Sequence, residues 1–252
     1  MSTTALTLEG GLAGPPSLFV VSLPRSLSSR IHRAAREALG LQDPAWTSSG
    51  EILNGDRFVL HGGSPHDSCR KYVREEDDRR AFAALGQFLS HVVQPRGFAY
   101  KDVAQPFVAA RWLIQSDLPI LRIRRPLADI AWSMLAQGWL YPARGRKGNV
   151  ALIQGLAEAE RALAALPGEV VDYDDLIASE TALETVLVNL YSDRKIGPVR
   201  YLDDGFAKRR DAVLRRREEP RYRELEEEVR RAAGGLTEPA NPRMTVSFGK
   251  PQ

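Results

Sequence analysis

The chain has 252 residues, with 35 lysines and arginines against 32 aspartates and glutamates, 43% apolar residues and 27% charged. That length suits one α/β domain with a sizeable core, and the composition excludes disordered and fibrous classes. A net charge of +3 is too small to demand a nucleic-acid or membrane partner, the single cysteine, Cys69, excludes an internal disulfide, and four scattered histidines lack metal-ligand spacing.

Residues 1–16 are rich in Gly, Thr and Pro and read as a disordered tail, with no basic segment ahead of an apolar one. No run approaches the roughly twenty apolar residues of a membrane span, so a cytoplasmic protein is expected. A single domain is expected over 17–233, followed by a flexible tail over 234–252. Oligomeric state is open, a homo-oligomer included.

LFVVSL at 18–23 reads as a buried strand that runs through Pro24 into a hydroxyl-rich turn, and a helical pattern follows over 28–39. Ser26, Ser28 and Ser29 offer hydroxyls, Arg25 a permanent cation, and the helix N-terminus a partial positive charge, so the turn suits an anion. Glycine is the usual residue in such a turn, but the position holds Leu27. It is expected to pack inward, to keep φ negative or accept strain, and to leave its amide facing the anion. No GxxxxGKS is present, which disfavours a P-loop for nucleoside triphosphates.

A helical pattern is expected over 66–93 and a strand at 97–103, GFAYKDV, before a helix over 105–116. PILRIRR at 119–125 is a further strand, and the helix from 127 to 139 presents Ser133 eight residues after Arg125, about two turns in. Arg125 and Ser133 can therefore reach one anion together. After a helix over 150–165, EVVDYDDL at 169–176 reads as a strand ending in Tyr173, with Ser179 capping a helix over 179–191. The pattern over 205–233 is broken by Pro220 into two helices. Strands alternating with helices predict an α/β, mainly parallel sheet with helices on both faces, in three layers, plus a helical C-terminal cap. The mixed charges from Lys208 to Arg231 read as a solvated helix face, YPARGRKGNV at 141–150 as a basic loop, and Trp132, Trp139, Leu140 and Tyr141 as core and rim packing.

PRSLSS at 24–29, RPLADIAWS from Arg125 to Ser133, and YDDL at 173–176, in this order and spacing, resemble the sulfotransferases that use 3′-phosphoadenosine 5′-phosphosulfate (PAPS). The resemblance covers roughly residues 17–190. It implies a P-loop-like fold without metal, a 5′-phosphosulfate held by Arg25, Ser26, Leu27, Ser28 and Ser29, and a 3′-phosphate held by Arg125 and Ser133, with Tyr173 in the third element. It further implies that Lys101 assists the leaving group and that the acceptor is a small molecule bearing a hydroxyl, less readily an amine. Where the family often has a histidine base, this chain has Val103. Asp102 and Glu51 are equal candidates for that base, ahead of His61 and His66. A kinase on the related architecture and a noncatalytic nucleotide-binding protein are the alternatives.

Overall fold

The computed structural model describes residues 14–47, 50–53, 72–139, 148–203 and 205–234. Four strands, β1 (Leu18–Ser22), β2 (Ala99–Asp102), β3 (Ile120–Arg124) and β4 (Glu169–Asp172), form one all-parallel sheet in the order β2-β1-β3-β4. Among the described residues the helices are α1 (Ser28–Leu39), α2 (Arg79–Val92), α3 (Pro106–Leu113), α4 (Leu127–Leu135), α5 (Gly148–Ala164), α6 (Tyr173–Ala178), α7 (Thr181–Leu190), α8 (Gly205–Arg217) and α9 (Pro220–Gly234). None is long and apolar enough to cross a membrane.

Side chains alternate across a strand, so the central β1 feeds two cores. Phe19 and Val21 pack with Tyr100, Val108, Met134, Leu156 and Leu225 on one face, which α2 to α5 and α9 cover. Leu18 and Val20 pack with Ile31, Ala35, Leu121, Leu176 and Leu187 on the other, under α1, α6, α7 and α8. The pair α8–α9 thus starts on one core, at Phe206, and ends on the other, at Leu225.

The outer edge of β2 is not bare. Residues 50–52 lie parallel to it, with Lys101 N–H donating to Gly50 O at 2.8 Å and Ile52 N–H to Lys101 O at 3.2 Å. Gln42 bridges Phe98 in the same way, so an edge that would invite foreign strands is covered.

Three expectations are corrected. The helix foreseen from residue 66 is described only over Arg79–Val92: its N-cap is Asp78, whose carboxylate accepts from Ala81 N–H at 2.9 Å, and the acidic run before it has no apolar face to bury. The strand foreseen to 176 stops at Asp172, and YDDLIA is a short helix, because Tyr173, Leu176 and Ile177 bury at helical spacing. Residues 14–16 are not part of a loose tail, since Pro16 pairs antiparallel with Arg96 and accepts from Tyr191 Oη at 3.0 Å. Pro220 opens α9 as the break expected in the last helical stretch. Residues 1–13 and 235–252 lie outside the described residues.

Candidate functional site

A cleft of about 760 Å³ opens at the C-terminal ends of β1, β2 and β3. In open parallel sheets this is where strand-to-helix turns present their amides and side chains. Its walls are the 24–30 turn, Glu51 and Lys101 at the β2 edge, Arg125, Ser133 and Tyr173 past β3 and β4, and α8.

The turn after β1 is left-handed at two residues that are not glycine, Arg25 at φ 65° and Leu27 at φ 62°. Each such residue costs about 1–2 kcal/mol, and packing has to hold it there. Leu27 does not keep the negative φ that would avoid strain; its side chain packs partly buried against the second core, inward as expected. Its carbonyl accepts from Arg30 N–H at 2.9 Å and Ile31 N–H at 3.1 Å, which starts α1 without a side-chain cap. The first amides of α1 are therefore left for solvent or a ligand, beside Ser26, Ser28 and Ser29 on the cleft wall.

Arg25 Nε donates to Ser133 Oγ at 3.0 Å, and the Arg25 guanidinium lies 5.5 Å from the Trp139 ring. The Arg25 carbonyl in turn accepts from Arg125 Nη1, which ties the turn to the exit of β3. Ser133, foreseen beside Arg125, is thus bonded to Arg25, and all three face one cleft. Arg125 is buried, with its guanidinium 4.0 Å from the centre of the Tyr173 ring. Its Nε has no hydrogen-bond partner among the described residues; the nearest acid, Asp129, has Oδ2 at 3.9 Å. Burial pushes the Arg125 pKa below its ordinary value, because the aromatic ring and that distant carboxylate replace little of the lost water. The neighbouring Arg124 is not in the cleft wall and forms a two-bond pair with Asp172 at 2.6 Å and 2.6 Å.

At the other wall, Lys101 is 2% exposed, donates from Nζ to Ser29 Oγ at 2.8 Å and pairs with Glu51 Oε2 at 3.2 Å. The parallel bridge of residue 51 to residue 101 is what sets this pair. Asp102, one residue on, points to the opposite face. Its carboxylate is fully buried, accepts from the amides of Ala104 at 3.1 Å and Gln105 at 3.0 Å, and is absent from the cleft wall. Desolvation raises its pKa to about 7 against those two bonds. The structure thus brings Glu51, Lys101 and Arg25 together and sets Asp102 apart.

Behind the Glu51 bridge sits His32, 1% exposed, with Nε2 donating to Ala99 O at 3.1 Å. Burial lowers its pKa. Gly50 approaches this ring so closely that a Cβ there would lie 2.3 Å from Nε2.

The sequence reading missed the part played by α8. Arg209 and Arg216, two turns apart on one helix face, line the cleft with Ala212 and Val213 between them. That spacing was legible, but the interleaved acids pointed to a solvated face. Trp139, read as packing, also lines the cleft, as the cation contact with Arg25 requires. His61, His66, Leu140, Tyr141 and the basic segment to residue 147 lie outside the described residues. No family model matches the chain, and no curated protein matches it significantly.

Proposed function

We propose that the protein is a sulfotransferase that moves a sulfuryl group from PAPS to the hydroxyl of a small molecule. The observation that carries this reading is the convergence in one cleft of two cation-bearing strand-to-helix turns, joined by the bond from Arg125 to the Arg25 carbonyl. Two anion sites on one sheet edge are what a donor with a 3′-phosphate and a 5′-phosphosulfate needs. The residues fit such a ligand: Arg125 lines the cleft as a largely buried cation that no carboxylate hydrogen-bonds among the described residues, and α1 begins without a side-chain cap beside three serines. The same reading takes the sheet and its helices as a P-loop-like fold with α8–α9 as its helical cap.

The donor would supply a sulfuryl group on a phosphate leaving group. Arg25 and Lys101 then stabilise the charge that builds on the leaving oxygen; removing one such preorganised donor costs about 10²–10³ in rate. Ser29 fixes the Lys101 ammonium, and Glu51 takes the proton of the acceptor hydroxyl as the new S–O bond forms and the old one breaks. Glu51 is favoured over Asp102 as the base because it reaches the cleft.

Calorimetric titration with adenosine 3′,5′-bisphosphate tests the reading. Binding by the intact protein and its loss in Arg125→Ala are expected. No binding by the intact protein overturns the assignment, turnover of ATP with magnesium would favour a kinase, and binding without transfer to any phenol or alcohol would favour a noncatalytic binder.

A further inference from the structure

We infer that Arg217, the last residue of α8, is a positioning residue that keeps the Arg125 guanidinium available to the cleft by occupying Asp129. This rests on the reading of the cleft as a PAPS site.

Asp129 is fully buried in the first turn of α4, four residues after Arg125. At that spacing an aspartate and an arginine ordinarily meet. Here they form only a loose ion pair: Arg125 Nε stops 3.9 Å from Asp129 Oδ2, beyond hydrogen-bond distance, and the guanidinium lies over Tyr173. Arg217 takes the carboxylate, with Nη2 donating to Oδ2 at 2.5 Å and Nε to Oδ1 at 3.4 Å. The same guanidinium reaches across to α6, where Nη1 and Nη2 bond the two oxygens of Asp174 at 2.9 Å and 2.7 Å. The Asp129 charge also acts on Tyr222 of α9, whose hydroxyl pKa is raised by burial first and by that carboxylate second. One side chain at the end of α8 thus joins α4, α6 and α8 beside the cleft.

A buried carboxylate that loses its cation is left as an uncompensated charge, and leaving one alone costs several times what the pair contributes. With Arg217 removed, the nearest remaining cation is Arg125. Closing the gap to Asp129 would draw its guanidinium off the Tyr173 ring and away from the bond to the Arg25 carbonyl that ties the two turns together. Arg217 touches no ligand in this arrangement, since it is not part of the cleft wall. It decides which partner Arg125 has.

The test compares adenosine 3′,5′-bisphosphate with adenosine 5′-monophosphate on wild type, Arg217→Ala, and Arg217→Ala combined with Asp129→Asn. Arg217→Ala should weaken the bisphosphate by about tenfold or more, the scale of one charged hydrogen bond, and the monophosphate by less than about threefold. Adding Asp129→Asn removes the competing charge and should return the bisphosphate to within about threefold of wild type. Equal bisphosphate affinity in wild type and Arg217→Ala overturns the inference. So does a loss that falls alike on both ligands and is not recovered in the double variant, because a residue that only holds the fold together would behave that way. Should Arg217→Ala not fold, the double variant, which buries no lone charge, decides: retained affinity supports the inference and a loss of about tenfold overturns it. If wild type binds neither nucleotide, the PAPS assignment falls, and this inference with it.

Discussion

Replacing Gly50 with alanine tests whether the candidate base is placed by backbone geometry. Gly50 has φ +68°, and a methyl built there lies 2.3 Å from His32 Nε2, 2.5 Å from His32 Cε1 and 2.9 Å from Ala99 O. The ring has little room to retreat, being 1% exposed and bonded to Ala99 O at 3.1 Å. A side chain in the left-handed region costs about 1–2 kcal/mol, and forcing a methyl into a filled site about 1–3 kcal/mol more. Against that, residues 50–52 hold to β2 by two backbone hydrogen bonds and the Glu51–Lys101 pair, each bond being worth about 1 kcal/mol net. The segment should therefore let go before the domain unfolds, limiting the global loss to about 2–3 kcal/mol and releasing Glu51 from Lys101. Urea unfolding of Gly50→Ala, His32→Ala and the pair gives the coupling. With the ring gone, the alanine should cost at least about 1 kcal/mol less than in wild type. A cost that His32→Ala leaves unchanged, or one below about 0.5 kcal/mol, refutes the reasoning.

Asp102 predicts a pH dependence of stability. Its folded pKa of about 7 lies above the ordinary 3.8, so between those values the folded protein holds a proton that the unfolded chain has lost. Its contribution is complete below about pH 4 and is lost as pH rises through about 7, for a total of at most about 4 kcal/mol. Urea midpoints at about pH 5 and about pH 8 should differ less in Asp102→Asn than in wild type, and an equal difference would remove Asp102 as the cause. Glu51→Gln keeps the size of the side chain without its proton affinity. It should lower kcat by about 10²–10⁴ and leave bisphosphate affinity within about threefold, as read by initial rates and calorimetry. Parallel losses in both would make Glu51 a holder of Lys101 and not the base.

The sheet and most helices were legible because each strand is a short apolar run between turn residues and each helix carries a 3.6-residue stripe. The order of the strands was not, since it depends on which pairs meet across long crossovers. At the site, Arg25, Arg125, Ser133 and Tyr173 were readable from spacing and resemblance. Spacing could not show that Ser133 bonds Arg25, because the left-handed turn at Arg25 and Leu27 sets the direction of that side chain. The choice between Glu51 and Asp102 was likewise closed to sequence. Strand alternation warned that Lys101 and Asp102 face opposite ways, but only the bridge from residue 51 to residue 101 shows which carboxylate shares the lysine's side. The arginines in β3 and at its exit make the same point: Arg122 meets Glu160, Arg124 meets Asp172, and Arg125 alone of these meets an aromatic ring. Their partners come from α5, β4 and α6, far away in the chain.

That ring gives Arg125 a support that does not cancel it. A carboxylate in the place of Tyr173 would grip the guanidinium more firmly and erase its field; an aromatic face attracts the cation and leaves the charge standing. Among the described residues, Arg25, Lys101, Arg209 and Arg216 stand around the same opening with one acid, Glu51, so the described wall carries a net positive charge. Low-dielectric walls focus such a charge outward, so under the proposed function the donor would be drawn in before contact, at a rate that falls as salt shortens the roughly 10 Å reach of the field. By leaving the Arg125 charge standing, the Tyr173 ring would then contribute to the rate of arrival as well as to the strength of the final grip.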